Sequence, residues 1–387
     1  MTEQSKVVNT PPAFLLGYEK EYQDNPKQAT LQWFKEAKYG LFMHYGLYSV
    51  LGHGEWAMIH EKIPHEQYCK LKDQFTAENF DADAITDLAL AAGMKYINFT
   101  TRHHEGFCLF RTQQTDYNSL DAPCGRDLVA ELALACEKKN LGLFLYYSYS
   151  ADWQHPYFFP RKYWQYAQPD YEQGNSRLLW KCDEDFQQYV DFMHAQLREL
   201  LTQYGPIAGL WFDPISAYHM RPDLFPIEKT YELIRSIQPE CLIAFKQGAN
   251  GDEDFAAPER AAKSLGSRFN GKKSTSVEQI WERNKNKPKE ICETLQPRVW
   301  GYNSKNDGYH RTADDVMKVL AYARKFDANL LLNTGPLPDG SLDLVDQNTL
   351  LEVGKRLKAG VDWDLIPAES LPLEPVDPNV DKIALAQ

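Results

Sequence analysis

From about residue 39 to about 358 the chain alternates short apolar runs with amphipathic segments, and this alternation limits its fold more than any other feature. Strand-like runs fall at 39–44, 95–100, 142–148, 207–213, 241–246 and 329–334. Helix-like segments fall at 83–92, 127–139, 184–204, 230–237, 313–326 and 347–358. Strands that alternate with helices need crossover connections, so the strands run parallel with helices packed over them. No dinucleotide Gly-x-Gly-x-x-Gly or phosphate-binding loop opens any of the helices, and residues 335–340 read as a turn-rich loop. The pattern predicts an α/β fold, a TIM-like (β/α)8 barrel. Two of its eight strands must then lie in the polar stretch from Gln247 to Trp300. Residues 1–30 read as an N-terminal extension, 31–362 as the barrel, and 363–387 as a short Pro-rich, acidic tail.

Long insertions follow the first strand (47–80) and the third (151–183), both rich in Tyr, Trp, His and Pro. Irregular loops on the working side of a barrel shape access to a site. A net charge of −12 argues against nucleic acid or an anionic membrane as a partner. Aromatic residues make up 13% of the chain and lean it towards carbohydrate, whose C–H faces stack on rings. Seven scattered cysteines with no Cys-x-x-Cys pair fit reduced thiols. The first residues lack the apolar core of a signal peptide, and a cytoplasmic location is the expectation.

At the carboxyl ends of barrel strands, polar residues tend to be catalytic. Five of the readable strands end in such a group: His44, His103 with His104, Ser148, Asp213 and Lys246. In Gly209-Leu210-Trp211-Phe212-Asp213 an acid ends a buried strand two residues after a tryptophan, which makes Asp213 the candidate nucleophile. Capping the next helix is its bland alternative. The ligand spacings of a dedicated metal site are absent, and no metal or cofactor is expected. No Gly-x-Ser-x-Gly elbow appears either. Sugar hydrolysis needs a second carboxyl group to donate and take a proton. Glu55, Glu253, Glu259, Glu282, Glu290 and Glu293 are all candidates on pattern alone.

The chain resembles the α-L-fucosidases of glycoside hydrolase family 29. The resemblance rests on Trp33-Phe34-x-x-Ala37-Lys38-Tyr39-Gly40-Leu41-Phe42-Met43-His44-Tyr45-Gly46, on Gly54-Glu55-Trp56 and on His103-His104-Glu105-Gly106-Phe107. It continues in Tyr146-Tyr147-Ser148, Leu210-Trp211-Phe212-Asp213, Trp300-Gly301-Tyr302-Asn303 and Leu332-Asn333-Thr334-Gly335-Pro336. It implies a retaining exo-hydrolase that releases L-fucose through a covalent fucosyl-enzyme intermediate, with transfucosylation compatible with the same site. Asp213 matches the family nucleophile. His44, Glu55, Trp56, His103, His104, Tyr147 and Trp211 match residues that bind the sugar. Trp300 falls where an aromatic residue lies near the sugar's methyl group, and Lys246 falls near a basic residue that is commonly Arg. Glu259, in a Pro-Glu segment, is the acid/base by this resemblance, with Glu290 as runner-up. Too few residues follow the barrel for the β-sandwich domain that many members carry, which leaves room for a second copy to cover the mouth. Two other readings stand beside this one: a glycosidase for another sugar such as a galactoside, and a catalytically inactive carbohydrate-binding barrel.

Overall fold

The computed structural model describes residues 10–169, 177–260, 272–306 and 309–369. Residues 1–9 of the N-terminal extension and 370–387 of the tail lie outside them, as do 170–176, 261–271 and 307–308. Seven parallel strands form one curled sheet: β1 (Tyr39–Met43), β2 (Tyr96–Arg102), β3 (Gly142–Ser148), β4 (Gly209–Asp213), β5 (Leu242–Phe245), β6 (Lys289–Thr294) and β7 (Ala328–Thr334). Their order is β5-β4-β3-β2-β1-β7-β6, every neighbouring pair parallel. Residues 256–259 fill the gap between β5 and β6. Ala257 bridges to Lys246, while Ala256 and Glu259 bridge to Lys289 and Cys292. Of the two strands expected within 247–300 one forms, β6; residues 256–259 bridge the two sheet edges without making a regular strand.

Helices Ala82–Ala91, Leu128–Lys138, Gln187–Gln203, Ile227–Ile237, Lys272–Asn284, Ala313–Lys325 and Leu344–Ala359 follow the strands. Side-chain caps fix several starts. Asp81 and Asp127 each accept the N–H of the residue three further on, and Thr312 forms a reciprocal capping box with Asp315. One apolar core fills the space between strands and helices, and a second fills the barrel interior. The second core reaches down to helix Pro26–Ala37, whose Trp33 and Phe34 plug the bottom together with Phe14 and Leu15. The boundary at residue 30 therefore falls inside a helix. Gly142 and Gly209 make room for this plug, since a Cβ on either would overlap the ring of Trp33 or of Phe144.

The insertion after β3 is anchored by a fully buried ion pair between Arg102 and Asp152. Asp152 also accepts the backbone N–H groups of Gln154 and His155, and the guanidinium lies over the ring of Tyr147. Breaking a pair this deep typically costs about 3–5 kcal/mol, because the remaining charge is stranded.

Candidate active site

The inward face of β4 fixes the parity of the site. In a parallel sheet, paired residues share a face and alternate residues change face. Ser148 pairs with Asp213 and Tyr146 with Trp211, whereas Tyr147 pairs with Phe212. The cleft at the carboxyl ends of the strands is lined by His44, Glu55, Trp56, His103, His104, Tyr146, Trp211, Asp213, Lys246 and Trp300, among others. It holds roughly 530 Å³ of unfilled space opening to solvent. Tyr147 is absent from it: its hydroxyl donates to Gln196 (2.8 Å) on the helix side of the sheet. Where the resemblance points to Tyr147, the structure places Tyr146, one residue earlier, in the cleft. Two adjacent tyrosines look alike in sequence, but the pleat sends them to opposite faces.

His103 and His104 follow the end of β2, where the chain turns, so both side chains enter the cleft with ring centres 3.9 Å apart. Bonds on the far side fix the other imidazoles. Asn333 donates to the carbonyl of Trp300 (2.7 Å), which leaves its oxygen to accept from His44 Nδ1 (2.7 Å). Ser148 donates to the carbonyl of Ala151 and so accepts from His104 Nδ1 (2.6 Å). Burial, aided by the Lys246 charge, holds His104 well below its usual range, and His44 is pushed down to about 3 by burial. Both rings are then neutral, and each keeps Nε2 as an acceptor for a hydroxyl. His103 is likewise held low by burial, and its Nδ1 is buried with no hydrogen-bond partner among the described residues.

Glu55 accepts the N–H groups of Trp300 (3.0 Å) and Gly301 (2.8 Å), tying the first insertion to the loop that carries Trp300. Trp56 packs against His104, Trp153 and Trp164 on the opposite side. The cleft thus pairs neutral hydrogen-bonding rings with apolar walls. That combination suits a small polyol bearing an apolar edge.

Asp213 sits at the centre. Tyr146 donates to its Oδ2 (3.0 Å), and Lys246 Nζ lies 2.9 Å from its Oδ1. Burial raises the Asp213 pKa and the Lys246 cation opposes the rise. Burial works against the Lys246 charge, but Asp213 and Glu259 together hold its pKa above the ordinary value. Lys246 Nζ is also 3.6 Å from Glu259 Oε2, so one ammonium stands between the two carboxylates. Glu259 owes its place to the short segment that closes the barrel.

Glu290 does not reach the cleft. It lies beneath Trp211, accepting from the indole N–H (2.9 Å) and from the Tyr96 hydroxyl (2.6 Å), and burial raises it to about 7. It is too deep to face a leaving group, which removes the runner-up acid/base. Sequence reading also missed Trp164, Cys292 and Ser216 in the cleft wall, and Arg260 beside it. Only strand parity marked any of them beforehand, and only once the register of β6 was known.

A family profile described as Alpha-L-fucosidase matches residues 8–360. The bovine tissue alpha-L-fucosidase is 27% identical over 84% of this chain and 66% of its own length, so the chain spans about two thirds of that relative. Among solved structures, alpha-L-fucosidase isoenzyme 1 of Paenibacillus thiaminolyticus superimposes with a TM-score of 0.72 at 32% identity, covering 90% of this chain and 80% of that one. An alpha-L-fucosidase of Lactobacillus casei bound to α-L-fucose gives a TM-score of 0.67 at 28% identity, covering 84% and 97%. The same Lactobacillus enzyme has been solved in variant form with 4-nitrophenyl α-L-fucopyranoside and as fucosyltransferase mutants.

Proposed function

This chain belongs to the α-L-fucosidase family of glycoside hydrolases, and from that premise we propose that it removes terminal α-L-fucose from fucosylated oligosaccharides or glycoconjugates with retention of configuration. The observation that carries the mechanism is the pair Asp213 and Glu259 on either side of Lys246 Nζ, 2.9 Å and 3.6 Å away. Two carboxylates that share one ammonium can both reach a single anomeric centre, and retention, as the family resemblance implies, requires the pair to stand about 5–5.5 Å apart. In the first step Asp213 attacks the anomeric carbon, the glycosidic C–O bond breaks, and Glu259 gives its proton to the leaving oxygen. In the second, Glu259 takes a proton from water, whose oxygen displaces Asp213 from the sugar. An acceptor hydroxyl in place of that water gives transfucosylation.

The three neutral histidines with Glu55 take the sugar hydroxyls, and Trp300 and Trp56 give apolar surface to its face and methyl group. A site of buried hydrogen-bonding groups discriminates strongly against sugars that leave them unpaired. Seven free thiols support work in a reducing, cytoplasmic setting. The test is a parallel assay of nitrophenyl α-L-fucoside and the matching galactosides, followed by proton NMR of the first product. Cleavage of the fucoside with α-L-fucose appearing first is expected. First appearance of the β anomer overturns retention, and a galactoside preferred over the fucoside overturns the sugar assignment.

Lys246 provides a pH test. Its cation lowers the pKa of Asp213, which must be ionised to attack. In Lys246→Met that pKa rises, so the acid limb of kcat/KM is expected to move to higher pH by about 1–3 units, the usual worth of an adjacent opposite charge. A limb that stays in place means that Lys246 does not control Asp213.

A further inference from the structure

Arg260 immediately follows Glu259 and has a left-handed backbone, φ 59°. For a residue with a side chain this conformation is strained and persists only where the surroundings impose it. Here it sends the guanidinium back across β6. Nη1 donates to Glu293 Oε1 at 2.5 Å, the planar group lies 5.3 Å over the Trp300 ring, and Nε is 3.8 Å from Glu259 Oε1. Glu293 is fully buried, accepts the N–H of Thr294 and has Arg311 Nη2 at 3.6 Å. It does not line the cleft, and its shortest contact is the one to Arg260.

We propose that Arg260 is a positioning residue that sets two parts of the site together, the Trp300 wall against the sugar and the Glu259 carboxyl beside the leaving oxygen, with Glu293 as its anchor. A planar fork is needed for this. One edge meets Glu293, the Nε edge faces Glu259, and the flat face covers the indole, an arrangement that the point charge of lysine does not reproduce. The assignment rests on Glu259 being the acid/base. Among the described residues, the charged or titratable groups facing Glu259 include Lys246 just after β5, Asp213 at the end of β4, His44 just after β1, Cys292 from β6 and Arg260 itself. Those facing Arg260 are Glu293, Glu259, Cys292 and Glu55. With Arg260 removed, Glu259 still faces Lys246, and Glu293 still faces Arg311.

The test compares Arg260→Ala, Arg260→Lys and Glu259→Ala on 4-nitrophenyl α-L-fucoside and on a fucosyl disaccharide that the parent enzyme cleaves. Arg260→Ala is expected to lose on the order of 10-fold more kcat/KM on the disaccharide than on the aryl fucoside, as befits a misplaced general acid. A neighbouring cation favours the carboxylate, so its loss raises the acid's pKa, and the alkaline limb of kcat/KM is expected to move to higher pH. Inhibition by free fucose should weaken as Trp300 loosens. Arg260→Lys should bring the alkaline limb back towards its original place without restoring fucose affinity. Equal losses on both substrates with an unmoved alkaline limb, in a folded Arg260→Ala protein, overturn the proposal. If Glu259→Ala shows leaving-group dependence while Arg260→Ala does not, only the Arg260 assignment fails. If Glu259→Ala shows none, the acid/base reading fails and takes the Arg260 assignment with it.

Discussion

Asp213→Asn is expected to lower turnover on the order of 10⁴-fold, the scale seen when a group that the reaction runs through is removed, while the barrel stays folded and fucose still binds. The amide keeps the size of the carboxylate and an oxygen to accept from the Tyr146 hydroxyl. The backbone carbonyl of Asp213, which accepts the N–H groups of Tyr149 and Ser150, is unchanged. What disappears is the charge proposed to attack carbon. Asp213→Ala should be equally inactive but less stable, because Lys246 then keeps only its longer contact to Glu259 in a buried setting. Hydrolysis of the aryl fucoside, calorimetric fucose binding and urea unfolding separate these effects. Turnover within a few fold of the parent, in a folded protein, rules out the nucleophile.

Glu259→Ala should divide substrates by their leaving groups. General acid catalysis contributes about 10²–10⁴-fold where the departing oxygen needs a proton. The variant should therefore lose that much on a disaccharide and far less on 4-nitrophenyl α-L-fucoside in the first step. Small anions such as azide, which attack without base assistance, should restore part of the rate and yield the fucosyl azide of retained configuration. The same signature in Glu290→Ala would transfer the role to that residue. Its contacts argue otherwise, since both carboxyl oxygens are occupied by Tyr96 and Trp211 below the cleft. Loss at Glu290 should instead fall alike on all substrates, through a Trp211 that has lost its partner.

The parts that were legible in the sequence are those governed by short-range rules. Parallel strands such as β3 and β4 are buried on both faces and read as apolar runs, and the helices between them show a 3.6-residue period. The acid, imidazole and lysine side chains ending those runs stand out because no packing rule requires them there. Asp213, His44, His103, His104 and Lys246 were visible for that reason, and the structure brings all five into one cleft. The closing segment 256–259 was not legible. It is held by backbone bonds to Lys246, Lys289 and Cys292 and carries no repeating pattern of its own.

The order of elements, the parallel barrel and the identity of the central acid were written into the chain, because each depends on a local period or a single position within it. Tertiary structure alone decided that Tyr146 rather than Tyr147 faces the sugar cleft, that Glu290 supports Trp211 from below, and that Glu259 shares a cation with Asp213. Those outcomes turn on register and on which strands become neighbours when the sheet curls shut. Residues brought together in that way are far apart along the chain, and no local pattern encodes their meeting.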